Sequence, residues 1–213
     1  MKCDKSQMLL YAVTDRAWAG KQSLYEQVES ALKGGVTIVQ LREKDLDYES
    51  FLKEAMKISA LCKRYKVPFI VNDNVDIAIK CRADGVHIGQ SDMNLLQARK
   101  LLGENMIIGV SAHSVEEALE AVKNGADYLG AGTVFSTSTK TNVSSLSKET
   151  LRDICAAVNI PVVAIGGISK LNMPELANCG IDGVALVSAV FAADDIESEC
   201  RMLHKLAEKT VKG

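Results

Sequence analysis

Two short stretches, Gln40-Leu41-Arg42-Glu43-Lys44 and Val71-Asn72-Asp73-Asn74, carry the residue types that handle phosphate. Arginine, lysine and side-chain amides donate hydrogen bonds to phosphate oxygens, and carboxylates among them suit a hard cation. In an extended chain successive side chains alternate, so Gln40, Arg42 and Lys44 share one face while Val39, Leu41 and Glu43 share the other. Further stretches extend the inventory: GVHIGQSD adds Asp92, GVSAHS adds Ser111, and STSTK adds Thr137, Thr139 and Lys140. Arg42, Lys44, Lys140, Asn72 and Gln40 then form a donor set for phosphate oxygens. Asp73 and Asp92 are two carboxylates amid cations, which is the setting for a magnesium ion shared with substrate phosphates. An aspartate at position 92 also fits the N-cap of a helix over MNLLQARKLL, and the sequence leaves both roles open.

A second set has a different character. Gly166 and Gly167 in AIGGIS let backbone N–H groups approach an anion closely, and Ser188 opens SAVFAAD, a short helix whose positive end would face the same way. The same residues also make plain tight turns. Two anion sites on one surface imply two phosphorylated substrates or one bisphosphate, and the site with the cations suits a leaving pyrophosphate. Loop 136–149, STSTKTNVSSLSKE, is long and rich in serine and threonine, so it is expected to close over bound substrate and bring Lys140 with it.

These groups need elements that bring them together. Eight apolar, strand-forming runs recur along the chain: 9–13, 37–41, 68–71, 85–88, 106–110, 128–131, 161–165 and 183–187. Amphipathic stretches such as 49–65, 114–125 and 196–209 lie between them. Short continuous apolar strands with helical crossovers mean a parallel sheet. A doubly wound open sheet uses the same alternation, but eight units and the lack of a GxGxxG turn after the first strand favour an α/β fold of the (β/α)8 TIM-barrel type. Function in such a barrel sits at the C-terminal ends of the strands. Reading only those places collects the groups above, together with Thr14-Asp15-Arg16 after the first strand and Val187-Ser188 after the eighth.

Composition sets the remaining expectations. The 213 residues, 47% of them hydrophobic, fit one barrel domain over 1–213. A net charge of −2 with pI near 6.0 argues against a nucleic-acid partner. The apolar run LLYAV is too brief for a signal-peptide core or a membrane span, so a cytoplasmic protein without a membrane partner is expected. Six scattered cysteines with no CxxC read as packed free thiols. The expected partners are small phosphorylated molecules; oligomeric state is not legible.

The ordered set QLREK (40–44), VNDN (71–74), GVHIGQSD (85–92), GVSAHS (109–114), STSTK (136–140), AIGGI (164–168) and LVSA (186–189) spans nearly all of the chain and resembles the thiamine-phosphate synthase family. The resemblance implies a (β/α)8 barrel that joins 4-amino-2-methyl-5-hydroxymethylpyrimidine diphosphate to a thiazole phosphate and releases pyrophosphate with magnesium. It implies that Gln40, Arg42, Lys44, Asn72 and Lys140, with Ser111 beside them, hold the pyrimidine diphosphate. Asp73 and Asp92 would bind magnesium; Thr137, Thr139, Gly167, Val187 and Ser188 would hold the thiazole phosphate. The catalytic residues implied are Arg42, Lys44, Lys140 and Ser111, acting on a bond to pyrophosphate that breaks early. One departure from the family pattern is Ser136, where a proline is expected. His87 reads as a packed, hydrogen-bonded histidine. His113 is the base that a thiazole tautomerase on the same barrel would use, and a non-catalytic phosphate-ligand sensor is the further alternative.

Overall fold

The structure, a computed structural model, describes residues 3–18, 20, 22–136 and 146–213. Eight parallel strands, β1 (Leu10–Val13), β2 (Ile38–Leu41), β3 (Phe69–Asn72), β4 (Gly85–Ile88), β5 (Ile107–Ala112), β6 (Tyr128–Gly132), β7 (Val162–Ile165) and β8 (Gly183–Leu186), pair in sequence order. β8 returns to pair with β1, through Leu10 with Val184 and Ala12 with Leu186, and closes the barrel. The open-sheet alternative is thereby excluded. Every strand read from the sequence is present, with ends displaced by no more than two residues.

Helices cover the outside: α1 (Leu24–Lys33), α2 (Tyr48–Tyr65), α3 (Val75–Lys80), α4 (Leu95–Leu102), α5 (Val115–Lys123), α6 (Lys148–Ala157), α7 (Ser188–Phe191) and α8 (Ile196–Lys212). A single 3-10 turn, Met173–Leu176, takes the helix's place between β7 and β8. Their starts are set by side chains that accept otherwise orphaned N–H groups: Ser23 with Glu26 in a capping box at α1, Asp47 at α2 and Ser114 at α5. Among the described residues no helix is long and apolar enough to cross a membrane.

Strand alternation divides the core in two. Outward residues such as Leu10, Val39, Leu41, Val71, Val86, Ile108, Leu129 and Leu186 pack against the helices. Inward residues Tyr11, Val13, Ile38, Ile70, Ile107, Tyr128, Val163 and Ala185 fill the barrel, whose lower end is plugged by fully buried Cys3 and Met8. Gly109 faces inward too, and a Cβ there would lie 2.0 Å from the Tyr128 ring. The barrel accommodates Tyr128 because its β5 neighbour has no side chain. All six cysteines are unpaired thiols, and burial pushes those of Cys3, Cys62, Cys155 and Cys200 up to about 12, where they stay protonated.

Candidate active site

Above the inward layer, the C-terminal strand ends open into a cavity of about 430 Å³, lined by Gln40, Arg42, Lys44, Asn72, Asp73, Asp92, Ser111, Gly167, Val187 and Ser188. Ten sequence-selected residues therefore share one space, although they come from six different strand ends. Thr137, Thr139 and Lys140 lie outside the described residues.

The side of the cavity at β2 to β4 is built from charged side chains. β2 stops at Leu41, so Gln40 is the last inward residue of the strand and Arg42 and Lys44 project from the loop that follows. Lys44 Nζ donates to Asp73 Oδ2 at 2.5 Å, and Arg42 Nη1 donates to Asp15 Oδ2 at 2.8 Å. Asp73 sits just past β3 with φ 62°, and its backbone N–H donates to the His87 carbonyl at 2.8 Å. That hydrogen bond turns the Asp73 side chain over the end of β4. There Asp92 Oδ2 accepts the Gly89 N–H at 2.7 Å, and the Asp73 and Asp92 carboxyls are close enough to hydrogen bond.

The capping role open to Asp92 is not the one it has. The N-cap of α4 is Asn94, whose Oδ1 accepts the Leu96 N–H at 3.0 Å. Asp92 is left two residues earlier, exposed at the cavity mouth and facing Asp73.

Electrostatics bear on what this pair can hold. Burial pushes Asp73 above the usual carboxylate range; Lys44 pulls it down, and Asp92 pushes it up again. A part-buried carboxylate paired with Lys44 and a second, exposed carboxylate facing it put two acidic groups against one lysine at this edge of the cavity. A hard divalent cation, held by one or two carboxylates and completed by phosphate oxygens and water, fits that donor set. Among the described residues there is no group of three or more histidine, cysteine or acidic side chains that could enclose a metal by itself. The chemistry matches an ion shared with substrate better than a structural metal.

The side at β7 and β8 is built from backbone. Gly166 and Gly167 follow β7 with φ 102° and 62°, a region that side-chain-bearing residues rarely adopt. A Cβ on Gly167 would meet the Ser136 carbonyl oxygen at 2.4 Å and the Phe135 carbonyl oxygen at 2.6 Å. The Gly167 carbonyl is fixed by the Asn172 amide at 2.9 Å. Ser188 begins the short helix α7, as the sequence suggested, with Val187 at its N-cap.

Between the two sides lies a polar floor that reading by residue type missed. Gln40 Nε2 donates to the Tyr11 hydroxyl at 2.8 Å, and the Tyr11 and Tyr128 hydroxyls lie 2.7 Å apart. His87 Nδ1 is 3.0 Å from the Tyr128 hydroxyl, and His87 Nε2 is 3.0 Å from Ser111 Oγ. The chain of contacts crosses the barrel from β2 to β5, and all five residues line the cavity. Complete burial pushes both tyrosine hydroxyls well above their ordinary value, so they remain neutral hydrogen-bonding groups. His87 is thus packed and hydrogen-bonded, as its sequence context implied. The available signal for Tyr11 was its parity: it lies two residues before inward Val13. His113, at the cavity edge, pairs through Nδ1 with Glu117 Oε2 at 3.0 Å.

Comparison with known proteins places this geometry. A family profile described as thiamine monophosphate synthase matches residues 10–190. The chain is 48% identical over 200 residues to the thiamine-phosphate synthase of Clostridium acetobutylicum, which covers 94% of this chain and 95% of that protein. The solved thiamine phosphate pyrophosphorylase from Pyrococcus furiosus, 40% identical, aligns with a TM-score of 0.89 over 97% of this chain and 98% of that one. The (S)-3-O-geranylgeranylglyceryl phosphate synthase of Thermoplasma acidophilum, at 15% identity and a TM-score of 0.71, shares the fold alone.

Proposed function

The chain belongs to the thiamine monophosphate synthase family, and from that premise we propose how its cavity divides the work of joining the two substrates. The activity is that of a thiamine-phosphate synthase, a transferase that moves the aminopyrimidine methylene group from its diphosphate to the nitrogen of a thiazole phosphate and releases pyrophosphate.

Arg42, Lys44, Asn72 and Gln40 hold the diphosphate, with Ser111 beside it; Lys140, outside the described residues, is assigned to the same group by the family resemblance. Asp73 and Asp92 would hold magnesium, which when bound would supply positive charge to offset that of the diphosphate. Gly167, Val187 and Ser188 receive the thiazole phosphate, with Thr137 and Thr139. The flat aminopyrimidine then lies over the floor of Gln40, Tyr11, Tyr128 and His87, whose hydrogen-bonding groups suit ring nitrogens and an amine.

The chemistry assigned to these residues is electrostatic and geometric. As the bond from methylene carbon to diphosphate oxygen lengthens, negative charge grows on the leaving group, where Arg42 and Lys44 are already directed. The electron-rich aminopyrimidine carries the positive charge on the methylene, and the thiazole nitrogen captures it. Holding both substrates in one cavity makes that capture effectively unimolecular. Tyr11 and Tyr128, whose hydroxyls burial keeps protonated, place no charge of their own beneath the cation. No side chain is assigned a covalent role.

The observation that carries this reading is the cavity's lopsidedness: cations and two facing carboxylates on one side, a glycine turn and a helix start on the other. Pyrophosphate release with both substrates, with each alone, and with magnesium chelated tests it. Release that requires both substrates and magnesium is expected. Release from the diphosphate alone at an undiminished rate would show that the second site takes no part. Binding of the thiazole phosphate without any release would move the roles to the tautomerase or sensor readings.

A further inference from the structure

The Thr14-Asp15-Arg16 turn takes no part in the scheme above, yet it makes several side-chain contacts to the loop that carries Arg42. Two consecutive residues after β1 pair with two consecutive residues after β2, acid to base and base to acid. Arg42 Nη1 donates to Asp15 Oδ2 at 2.8 Å. Arg16 donates to Glu43 at both oxygens, Nε to Oε2 at 3.1 Å and Nη2 to Oε1 at 2.8 Å, and also to Glu54 of α2. The register behind this is fixed by the sheet, which sets Val13 opposite Gln40. Thr14, fully buried, accepts the Arg42 N–H on Oγ1 at 3.0 Å, so the Arg42 backbone is tied as well as its side chain. Asp15 is itself held, its Oδ1 accepting the Ala17 N–H at 2.9 Å.

The Glu43 side chain is 1% exposed, between the cavity-lining residues Arg42 and Lys44. A carboxylate in that position offers nothing to substrate, because it points away from the cavity toward Arg16 and α2. It pins the middle of the loop from behind while its neighbours face forward. A guanidinium has five N–H donors, and the bond to Asp15 uses one edge, leaving the rest of the fork available to an anion.

We propose that Asp15, Arg16 and Glu43 are positioning residues of the diphosphate site, acting through Arg42: Asp15 aims its guanidinium and the Arg16–Glu43 pair fixes the loop that carries it. The inference rests on Arg42 binding diphosphate, as read above. It makes a prediction whose sign is opposite to that of charge counting. Removing a carboxylate beside an anion site tightens anion binding if charge alone matters. Here it weakens binding, because the arginine loses its aim.

The test is calorimetric titration of the purified chain with inorganic pyrophosphate and magnesium, alongside steady-state kinetics. Asp15→Asn, which keeps the shape and most of the fold contacts, is expected to weaken pyrophosphate and to raise KM for the pyrimidine diphosphate by about tenfold, on the scale by which small misplacements cost activity. KM for the thiazole phosphate stays within about twofold. In an Arg42→Ala background the same Asp15→Asn change adds less than about twofold, because its effect passes through Arg42. A merely structural role would move both KM values and would persist in the Arg42→Ala background; either result overturns the inference. So would tighter pyrophosphate binding by Asp15→Asn. If the unsubstituted chain binds no pyrophosphate, the diphosphate site itself falls and the inference falls with it, an outcome distinct from failure of Asp15 alone.

Discussion

On the β2 to β4 side of the cavity the cationic groups are long side chains tied to neighbours, Arg42 to Asp15 and Lys44 to Asp73, with Glu43 tied to Arg16 behind them. On the β7 and β8 side the wall is main chain, set by two glycines at positive φ and the first residue of α7. Both sides are read here as phosphate sites, and the difference follows from what each phosphate does. A diphosphate that leaves gains charge during the reaction, so its site requires full charges that can follow the change. A phosphate monoester that only anchors its substrate keeps its charge, and backbone N–H groups at a turn and a helix start are sufficient for it. Charged side chains have rotamer freedom that a main-chain site lacks, which accounts for the ion-pair ties on the β2 to β4 side.

The largest effect that would sharpen this contrast is Asp92→Asn. Asn94 caps α4, so the substitution leaves the helix start intact and thermal stability within a few degrees. Turnover should fall by about a thousandfold, on the scale of removing a charged group from a reacting centre, with a weaker response to added magnesium. Normal turnover with an altered melting temperature would return Asp92 to a structural role and erase the charge difference between the sides.

Arg42→Ala comes next. A loss of about a hundredfold in kcat/KM is expected for the diphosphate substrate. The thiazole phosphate KM should hold, and equal losses for both would break the division into two sites.

Gly167→Ala probes the other side. Its Cβ would press on two carbonyl oxygens within 2.6 Å at a positive φ, so the backbone must shift. A stability loss of about 1–3 kcal/mol is expected from strain and displacement. KM for the thiazole phosphate should rise by about tenfold while the diphosphate KM stays put, which reverses the Arg42→Ala pattern.

Much of this was legible in the sequence for a physical reason. Parallel strands buried on both faces must be continuous apolar runs, so GVHI, PVVAI and GVALV announced themselves within a residue or so. Side-chain chemistry was legible by type, which is why Arg42, Lys44, Asp73 and Asp92 could be selected before any coordinates. What escaped depends on register. That Asp15 meets Arg42, or Tyr11 meets Tyr128 across 117 positions, follows from which strand residues stand side by side, and composition does not encode that. Asp92 was ambiguous because an aspartate before a helix can cap it, and only the backbone shows that Asn94 takes that role instead.

The smallest expected effect distinguishes the sides by pH. Glu43 is pulled two ways: burial raises its carboxyl above the ordinary 4.5, Arg16 lowers it, Glu54 raises it further, and burial is the largest cause, so the net shift is upward. A carboxyl raised on folding binds its proton more readily in the folded chain. Its contribution to stability is therefore fully present below the unfolded value and is lost as pH rises through the raised one. Glu43→Gln removes that slope, since an amide does not titrate. The melting temperature of the unsubstituted chain minus that of Glu43→Gln should therefore fall as pH rises above the ordinary 4.5, whatever its absolute size. The corresponding difference for Gly167→Ala should be flat, because no charge changes there. A Glu43 difference that rises with pH would mean that Arg16 outweighs burial and that the pair is an ionised clamp at every working pH. That outcome would leave the positioning role standing but locate its strength in charge attraction rather than in enclosure.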